Sequence, residues 1–290
     1  MKIFLYLQHA IPFMFILGIA FLSTYLNTKT ILPYDTEILK TGITNLTSYI
    51  RNHGLKIPHN QWTVMITVNN GFYDFFQNWH FYFQKLGINA PVIAIAEDKY
   101  VYDKLILNYS GAINIVHSHL PSIDKAVKYN SEPYNSLISR RSLYISDLLN
   151  IGLNIINTDA DTVWLQNPLQ HLEGDYDIWI QSDGKNNVCP GFMAVQNSAK
   201  SRKLILAWKQ ILERQDKKEV DQVVLNRLLI QKFSNLSVKI LDPDMFASGK
   251  RFFQDQNYKQ RQHVVVVHNN FIIGHDNKLA RFKNFNLWSN

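Results

Sequence analysis

The chain has 290 residues, 46% of them apolar or aromatic and 18% charged, with a formal net charge of +7 and one cysteine, Cys189. A single cysteine excludes an intrachain disulfide and any multi-cysteine metal site, so the folded part must rest on its core. The positive charge is scattered, with no run beyond pairs such as Arg140-Arg141 and Lys217-Lys218; this argues against nucleic-acid binding and for attraction of an anionic substrate.

Residues 1–26, MKIFLYLQHAIPFMFILGIAFLSTYL, carry Lys2 ahead of an apolar core from Ile11 to Leu22. The stretch from Ile3 to Tyr25 is long enough to cross a bilayer core of about 30 Å. No small-x-small site follows the core, so it is read as an uncleaved transmembrane signal anchor, with a cleaved signal peptide as the alternative. Lys2 puts the N-terminus in the cytosol and the rest of the chain in the lumen. Sequons at Asn45-Leu46-Thr47, Asn108-Tyr109-Ser110 and Asn235-Leu236-Ser237 fit that fate. Residues 27–60 read as a stem with one helix, its apolar positions including Leu46 and Ile50, and residues 61–290 as the lumenal domain.

From Gln61 strands and helices alternate. Thr63 to Val68 predicts a buried strand ending in the turn Asn69-Asn70-Gly71. Phe72, Phe75, Phe76, Trp79, Phe83 and Leu86 then recur at helical spacing up to Gly87, a C-cap. A strand over Pro91 to Ala96, a helix from Lys99 to Leu107 and a strand over Ile113 to Val116 follow. A helix from Leu137 to Asn150 stops at Gly152 and delivers the strand Leu153 to Ile156. The second half is mixed: strands at Asp177 to Ile180 and Gly191 to Val195, a helix through Leu204, Ile205, Trp208 and Leu212, and another from Glu219. A strand Val264 to Val267 delivers His268-Asn269-Asn270, and a basic helix over 277–288 closes the chain. Short strands alternating with helices predict an α/β fold with a mixed, mostly parallel sheet. Ligands in such sheets sit at the carboxyl ends of strands, where both Asn69-Asn70-Gly71 and Asp159-Ala160-Asp161 fall.

The stretch NTDADTVWLQNP, residues 157–168, continues the strand-like run and carries Asp159 and Asp161 two positions apart. On a strand, i and i+2 share a face, so two carboxylates aim into one space. Such a pair wants a cation, a proton or open water, and its apolar flanks speak against water. Two readings remain: a divalent metal holding a polyphosphate, or an aspartyl nucleophile with its general acid. His268, at another strand end, supplies an imidazole, and HNNFIIGHDNK places Gly274 and Lys278 six and ten residues after it. Glycine lets backbone approach a phosphate and lysine supplies a point charge, so together they look like a pyrophosphate clamp.

In their order, TVNNGFYDFFQNW, NTDADTVWLQNPL, DIWIQSD, CPGFMAVQNS, DQVVLN, ILDPDMF and VVHNNFIIGHDNKLARFKNFNLW resemble the nucleotide-diphospho-sugar transferases of glycosyltransferase family 77, over about residues 61 to 288. The resemblance implies a GT-A fold, a UDP-sugar donor carrying a pentose or hexose, bound Mn²⁺ or Mg²⁺, a glycan or glycoprotein acceptor, retention of configuration, and a single-pass type II place in the Golgi membrane. It makes Asp161 and His268 metal ligands and Asp159 a further ligand or a contact to donor ribose or sugar. Thr67, Val68 and Asn69 become a wall beside uracil and ribose, Gly274 and Lys278 the diphosphate site, and Arg141 a charge on departing UDP. Asp183 and Asp221 would meet donor-sugar hydroxyls, and Gln222 would lie near the reacting face. No residue stands out as a covalent nucleophile, which favours front-face attack by the acceptor hydroxyl. Pro190 stands where relatives usually have a small polar residue before Gly-Phe.

Plainer readings compete. Asp183 is equally a turn residue before Gly184, Asp221 an exposed carboxylate at a helix start, Arg140 and Arg141 solvated, and Cys189 a small buried apolar residue. Two functional rivals remain: a haloacid-dehalogenase-like phosphatase using Asp159 and Asp161, and a non-catalytic lumenal binding protein on the same fold.

Overall fold

The run WTVMITV forms β1 (Trp62–Val68), and its alternation sets the layers. Val64, Ile66 and Val68 enter one core cluster, and Met65 enters a second on the opposite face. A strand buried on both faces needs apolar residues at odd and even positions alike, which is why its sequence is a continuous run. The computed structural model describes residues 61–215, 219–256 and 261–289 together with the helical residues Leu46 and Ile50. The expected anchor over 1–26 and nearly all of the expected stem lie outside the described residues. Among the described residues no helix is long and apolar enough to cross a membrane.

After β1 come α1 (Tyr73–Lys85), β2 (Val92–Ala96), α2 (Lys99–Tyr109), β3 (Asn114–His117), α3 (Glu132–Asn150) and β4 (Asn154–Thr158). Then follow β5 (Thr162–Trp164), β6 (Ile178–Gly184), β7 (Asn187–Val195), α4 (Ala199–Glu213), α5 (Asp221–Ile230), β8 (Val238–Ile240), β9 (Phe246–Ala247), β10 (Val266–His268) and α6 (His275–Asn284). The large sheet has the order β3-β2-β1-β4-β7-β6-β8, parallel throughout except for β7, which runs against both neighbours. A small sheet, β5-β10-β9, stands beside it. The expected mostly parallel α/β sheet is therefore observed.

One core layer joins the β1 and β2 residues Val64, Ile66 and Ala94 to the α1 aromatics Phe75, Phe76 and Trp79, as expected for that stripe. The other joins Met65, Ile93 and Ile155 to Tyr144, Ile145 and Leu148 of α3 and to Leu204 and Trp208 of α4. Leu46 and Ile50, one helical turn apart, pack into this second layer. β1, β2 and β3 build outward on one side, and the chain then crosses back to place β4 on the other. The carboxyl ends of β1 and β4 thus flank the topological switch point, where open α/β sheets bind ligands.

Two helices differ from their expected bounds. α3 begins at Glu132, five residues early, with the Ser131 hydroxyl accepting from the Tyr134 amide. Its first turns bury Asn135, Ser139, Arg140 and Arg141, so no apolar periodicity marks them. α6 starts directly after Gly274 and ends at Asn284, before the buried Leu287.

Asp147 of α3 is 3% exposed, and its Oδ1 has no hydrogen-bond partner. Burial pushes its pKa up to about 7, with Lys209 opposing and Glu213 adding. A folded-state pKa raised above the unfolded value gives stability that is complete below about pH 4 and lost as pH rises through about 7, by at most roughly 4 kcal/mol. Asp147→Asn is expected to flatten that decline: urea midpoints of variant and parent should converge at pH 4 and favour the variant at pH 8. Equal midpoints at pH 8 would sink the assignment.

Candidate active site

β4 ends at Thr158 and β5 starts at Thr162, so Asp159, Ala160 and Asp161 form a turn rather than one face of a strand. The two carboxylates still converge, but through the turn and not through a shared strand face. The turn carries the chain from the large sheet to the small one. The Thr162 amide and hydroxyl both donate to the Asp159 carbonyl, at 3.1 and 2.9 Å, and the Asp159 amide donates to the Gly191 carbonyl at 2.8 Å. Trp164 anchors the far side, its indole N–H on the Thr158 hydroxyl and its ring among Trp79, Phe83 and Phe192. β5 pairs with β10 so that Thr162 faces His268, which brings the histidine to the turn.

His268 Nε2 lies 3.6 Å from Asp159 Oδ2 and 3.5 Å from Asp161 Oδ1. Among the described residues, Asp159, Asp161 and His268 form a group able to hold a metal ion, one donor atom of each lying within 4.8 Å of the others. Two carboxylates and an imidazole suit Mn²⁺ or Mg²⁺ by donor type, so the residues fit the expected cation. Lys278 Nζ is ion-paired with Asp161 Oδ2 and donates to the Asn269 carbonyl at 2.7 Å. Burial alone would raise the Asp161 pKa, but Lys278 and His268 hold it well below the usual carboxylate range. Lys278 sits one turn into α6, whose N-cap Gly274 has φ +91°, with Asn277 Nδ2 3.7 Å from where a Cβ would lie.

Arg141 joins the cluster to a second group of carboxylates. Its Nη2 meets Asp159 Oδ1 at 2.8 Å and its Nη1 lies 3.6 Å from Asp221 Oδ2. Asp221 is 3% exposed at the start of α5; its Oδ1 accepts from the Gln222 amide while Oδ2 has no hydrogen-bond partner. Burial pushes its pKa up to about 6, Arg141 opposing and Asp159 adding. Gln222 Nε2 donates to Asp183 Oδ2 at 2.8 Å, and Asn270 Nδ2 to Asp183 Oδ1 at 3.3 Å. Asp159, Asp161, Asp183, Arg141, Asp221, Gln222, His268 and Lys278 are therefore one connected constellation.

Several plainer readings fail here. Asp221 is buried, and Asp183 is held by two side chains rather than serving only the turn. Arg140 and Arg141 are buried, Arg140 on Glu97 at 2.6 Å and on the Pro121 carbonyl. Cys189 is buried as expected, its Sγ 3.7 Å from His268 Nδ1. The phosphatase reading would leave His268 and Lys278 idle, yet both meet the carboxylates.

Thr67, Val68 and Asn69 lie at the end of β1 beside β4, with Ile66 opposite Thr158. The Asn69 amide donates to the Ile123 and Lys125 carbonyls, both at 2.9 Å, so this side chain fastens the loop before α3. A Cβ at Gly71 would lie 2.2 Å from the Ala126 nitrogen, which explains the glycine that ends NNG. Sequence reasoning missed Gln181, Gly191, Asn270 and Arg281. Arg281 holds Asn269 Oδ1 at 2.7 Å and the Asn270 carbonyl at 2.5 Å, and lies over the Phe253 ring. Their signal was faint: each sits inside a motif already quoted, with no charge pattern of its own or, for Arg281, within a basic helix.

Comparison with known proteins follows the same line. A UDP-D-xylose:L-fucose α-1,3-D-xylosyltransferase of Arabidopsis thaliana is 28% identical over 261 residues, covering 80% of this chain and 67% of the relative. A UDP-galactose:fucoside α-3-galactosyltransferase of Dictyostelium discoideum is 23% identical, covering 78% of this chain and 42% of that protein. The structure of the glycosyltransferase GlyE of Streptococcus pneumoniae superposes with a TM-score of 0.51 at 12% identity, over 79% of this chain and 64% of that one. That likeness concerns the fold, a mixed α/β architecture of the GT-A kind. The family model described as nucleotide-diphospho-sugar transferase matches residues 87–282, more than half of the chain. The chain belongs to the nucleotide-diphospho-sugar transferase family.

Proposed function

We propose that this protein is a metal-dependent glycosyltransferase that moves a pentose or hexose from a UDP-sugar to a hydroxyl of a glycan or glycoprotein, with retention of configuration. The observation that carries the reading is the convergence of Asp159, Asp161 and His268 beside Lys278, at the switch point of a mostly parallel sheet. The relatives named for UDP-xylose, UDP-galactose and fucose make those donors and a fucosylated glycan the first to test.

Asp159, Asp161 and His268 would hold Mn²⁺ or Mg²⁺, which when bound neutralises diphosphate charge. Gly274, having no side chain, would let a phosphate approach the start of α6, and Lys278 would supply a point charge there. Asp221 Oδ2, buried and without a hydrogen-bond donor, is an acceptor for a donor-sugar hydroxyl. Asp183 and Gln222 are hydrogen-bonded to each other, and the Gln222 backbone amide donates to Asp221 Oδ1. Arg141 keeps Asp159 and Asp221 from facing each other as bare like charges. The acceptor hydroxyl then attacks from the side the leaving diphosphate departs, with a phosphate oxygen taking its proton.

The full chain, purified in detergent, is expected to hydrolyse or transfer from UDP-xylose or UDP-galactose with Mn²⁺ and to stop with chelator. Asp161→Ala should lower turnover at least about 100-fold. Release of phosphate from a simple ester, lost in Asp159→Asn, would replace this reading with the phosphatase. Binding of UDP without turnover on any donor would leave the binding protein. The apolar segment before residue 27 motivates a Golgi, type II placement; recovery of the chain in the soluble fraction after cell lysis would refute it.

A further inference from the structure

β6 and β7 pair in register as far as Ile180 opposite Met193 and resume at Gln181 opposite Cys189, so β7 carries extra residues between. Irregularities of this kind re-aim side chains beside active sites. Here Pro190, which has no N–H to pair, gives its carbonyl to Asn157 Nδ2 at 2.7 Å, and Gly191 gives its carbonyl to the Asp159 amide. Across the break, Gln181 is fully buried and points to β9 and β10.

Its amide orientation is determined by its neighbours. The Phe246 carbonyl can only accept, so the group 3.2 Å from it is the Gln181 Nε2 amide. Oε1 therefore faces His268 Nδ1 at 3.0 Å. A carboxamide oxygen cannot donate, so Nδ1 must carry hydrogen. A neutral imidazole then has its lone pair on Nε2, the nitrogen that lies beside Asp159 and Asp161. Two carboxylates would by themselves draw the hydrogen to Nε2 and close that nitrogen to a cation. The Cys189 thiol, 3.7 Å from Nδ1, offers the opposite tautomer only as a weak donor, and at the expense of leaving Oε1 against a lone pair.

We propose that Gln181 is a positioning residue: it fixes the His268 tautomer so that Nε2 is presented to the divalent cation. The proposal rests on the metal reading above and extends it to a residue that touches neither donor nor cation. Ligating histidines usually give their other N–H to such an acceptor, and its loss typically weakens metal binding about 10- to 100-fold.

The test uses Mn²⁺ alone, with free Mn²⁺ followed by electron paramagnetic resonance on the full chain without donor, and a thermal melt of each variant to establish folding. Gln181→Leu is expected to weaken Mn²⁺ binding at least tenfold, while Gln181→Glu, which keeps an acceptor toward Nδ1, stays within about threefold of the parent. A packing role predicts the reverse order, because leucine suits a buried site better than a carboxylate. Cadmium-113 bound to nitrogen-15-labelled protein should couple to His268 Nε2 in the parent and lose that coupling in Gln181→Leu. Parent-like affinity and coupling in Gln181→Leu would overturn the proposal and leave the metal site standing. Absence of Mn²⁺ binding by the parent would overturn both.

Discussion

Gly191→Ala is expected to lower turnover on a UDP-sugar by at least about 100-fold in a protein that still folds. A Cβ added there would lie 2.2 Å from His268 Cε1, 2.8 Å from Asp159 Oδ2 and 2.8 Å from His268 Nδ1. Carbon atoms in good contact sit about 3.5 to 4.0 Å apart, so something must move by more than 1 Å. Gly191 is not among the glycines with positive φ, so alanine meets no backbone obstacle and the clash is purely one of space. The neighbours are poorly placed to yield. His268 ends β10 between β5 and the Gln181 amide, and Asp159 is tied to Arg141 and, through its own amide, to the Gly191 carbonyl. Overpacking of this size costs about 1 to 3 kcal/mol, a tolerable loss for a core this large. Displacing two of the three candidate ligands by ~1 Å is the graver effect, since catalysis depends on sub-ångström placement. Calorimetric titration with Mn²⁺ beside a thermal melt separates the two effects. Parent-like Mn²⁺ affinity in a folded Gly191→Ala would sink the prediction.

The strands of the large sheet were legible because burial on both faces needs unbroken apolar runs, as at Thr63 to Val68 and Pro91 to Ala96. Asp159, Asp161, His268, Gly274 and Lys278 were legible because charge and glycine at strand and helix ends are conspicuous against such runs. The beginning of α3 was not: it buries Asn135, Ser139, Arg140 and Arg141, and a buried polar face has no hydrophobic period to read. For the same reason a solvated reading of Arg141 competed with its role toward UDP, although it links Asp159 to Asp221 across more than sixty positions of chain. Gln181 and Gly191 were hidden more deeply. Their importance depends on the irregular pairing of β6 with β7, and in IWIQSD and CPGF only Pro190 hints at where that register breaks. Pro190 is informative in hindsight, because a residue without N–H within a central strand needs a break in the ladder.

Arg141→Met should prove nearly as damaging to turnover as loss of a metal ligand, and more damaging to stability. Arg141 is 8% exposed and stands between Asp159 and Asp221. Methionine keeps much of the volume and removes the charge, so packing changes little and electrostatics decides. Breaking a buried ion pair by deleting one partner typically costs about 3 to 5 kcal/mol, because the remaining charge stays buried and unpaired. Asp221 can escape part of that cost by taking a proton: burial already pushes its pKa up to about 6 against the pull of Arg141, and without Arg141 it rises further. Relief of strain and function then conflict, since a protonated Asp221 weakens as an acceptor for a sugar hydroxyl. Destabilisation relative to the parent should accordingly be larger at pH 8, where the proton is harder to keep, than at pH 6. Arg141→Lys should recover part of the stability but little of the turnover, because one ammonium cannot reproduce a guanidinium that reaches both Asp159 and Asp221. Urea midpoints at the two pH values and initial rates on UDP-xylose or UDP-galactose measure these effects together. Arg141→Met with parent-like rates would remove Arg141 and Asp221 from the active site.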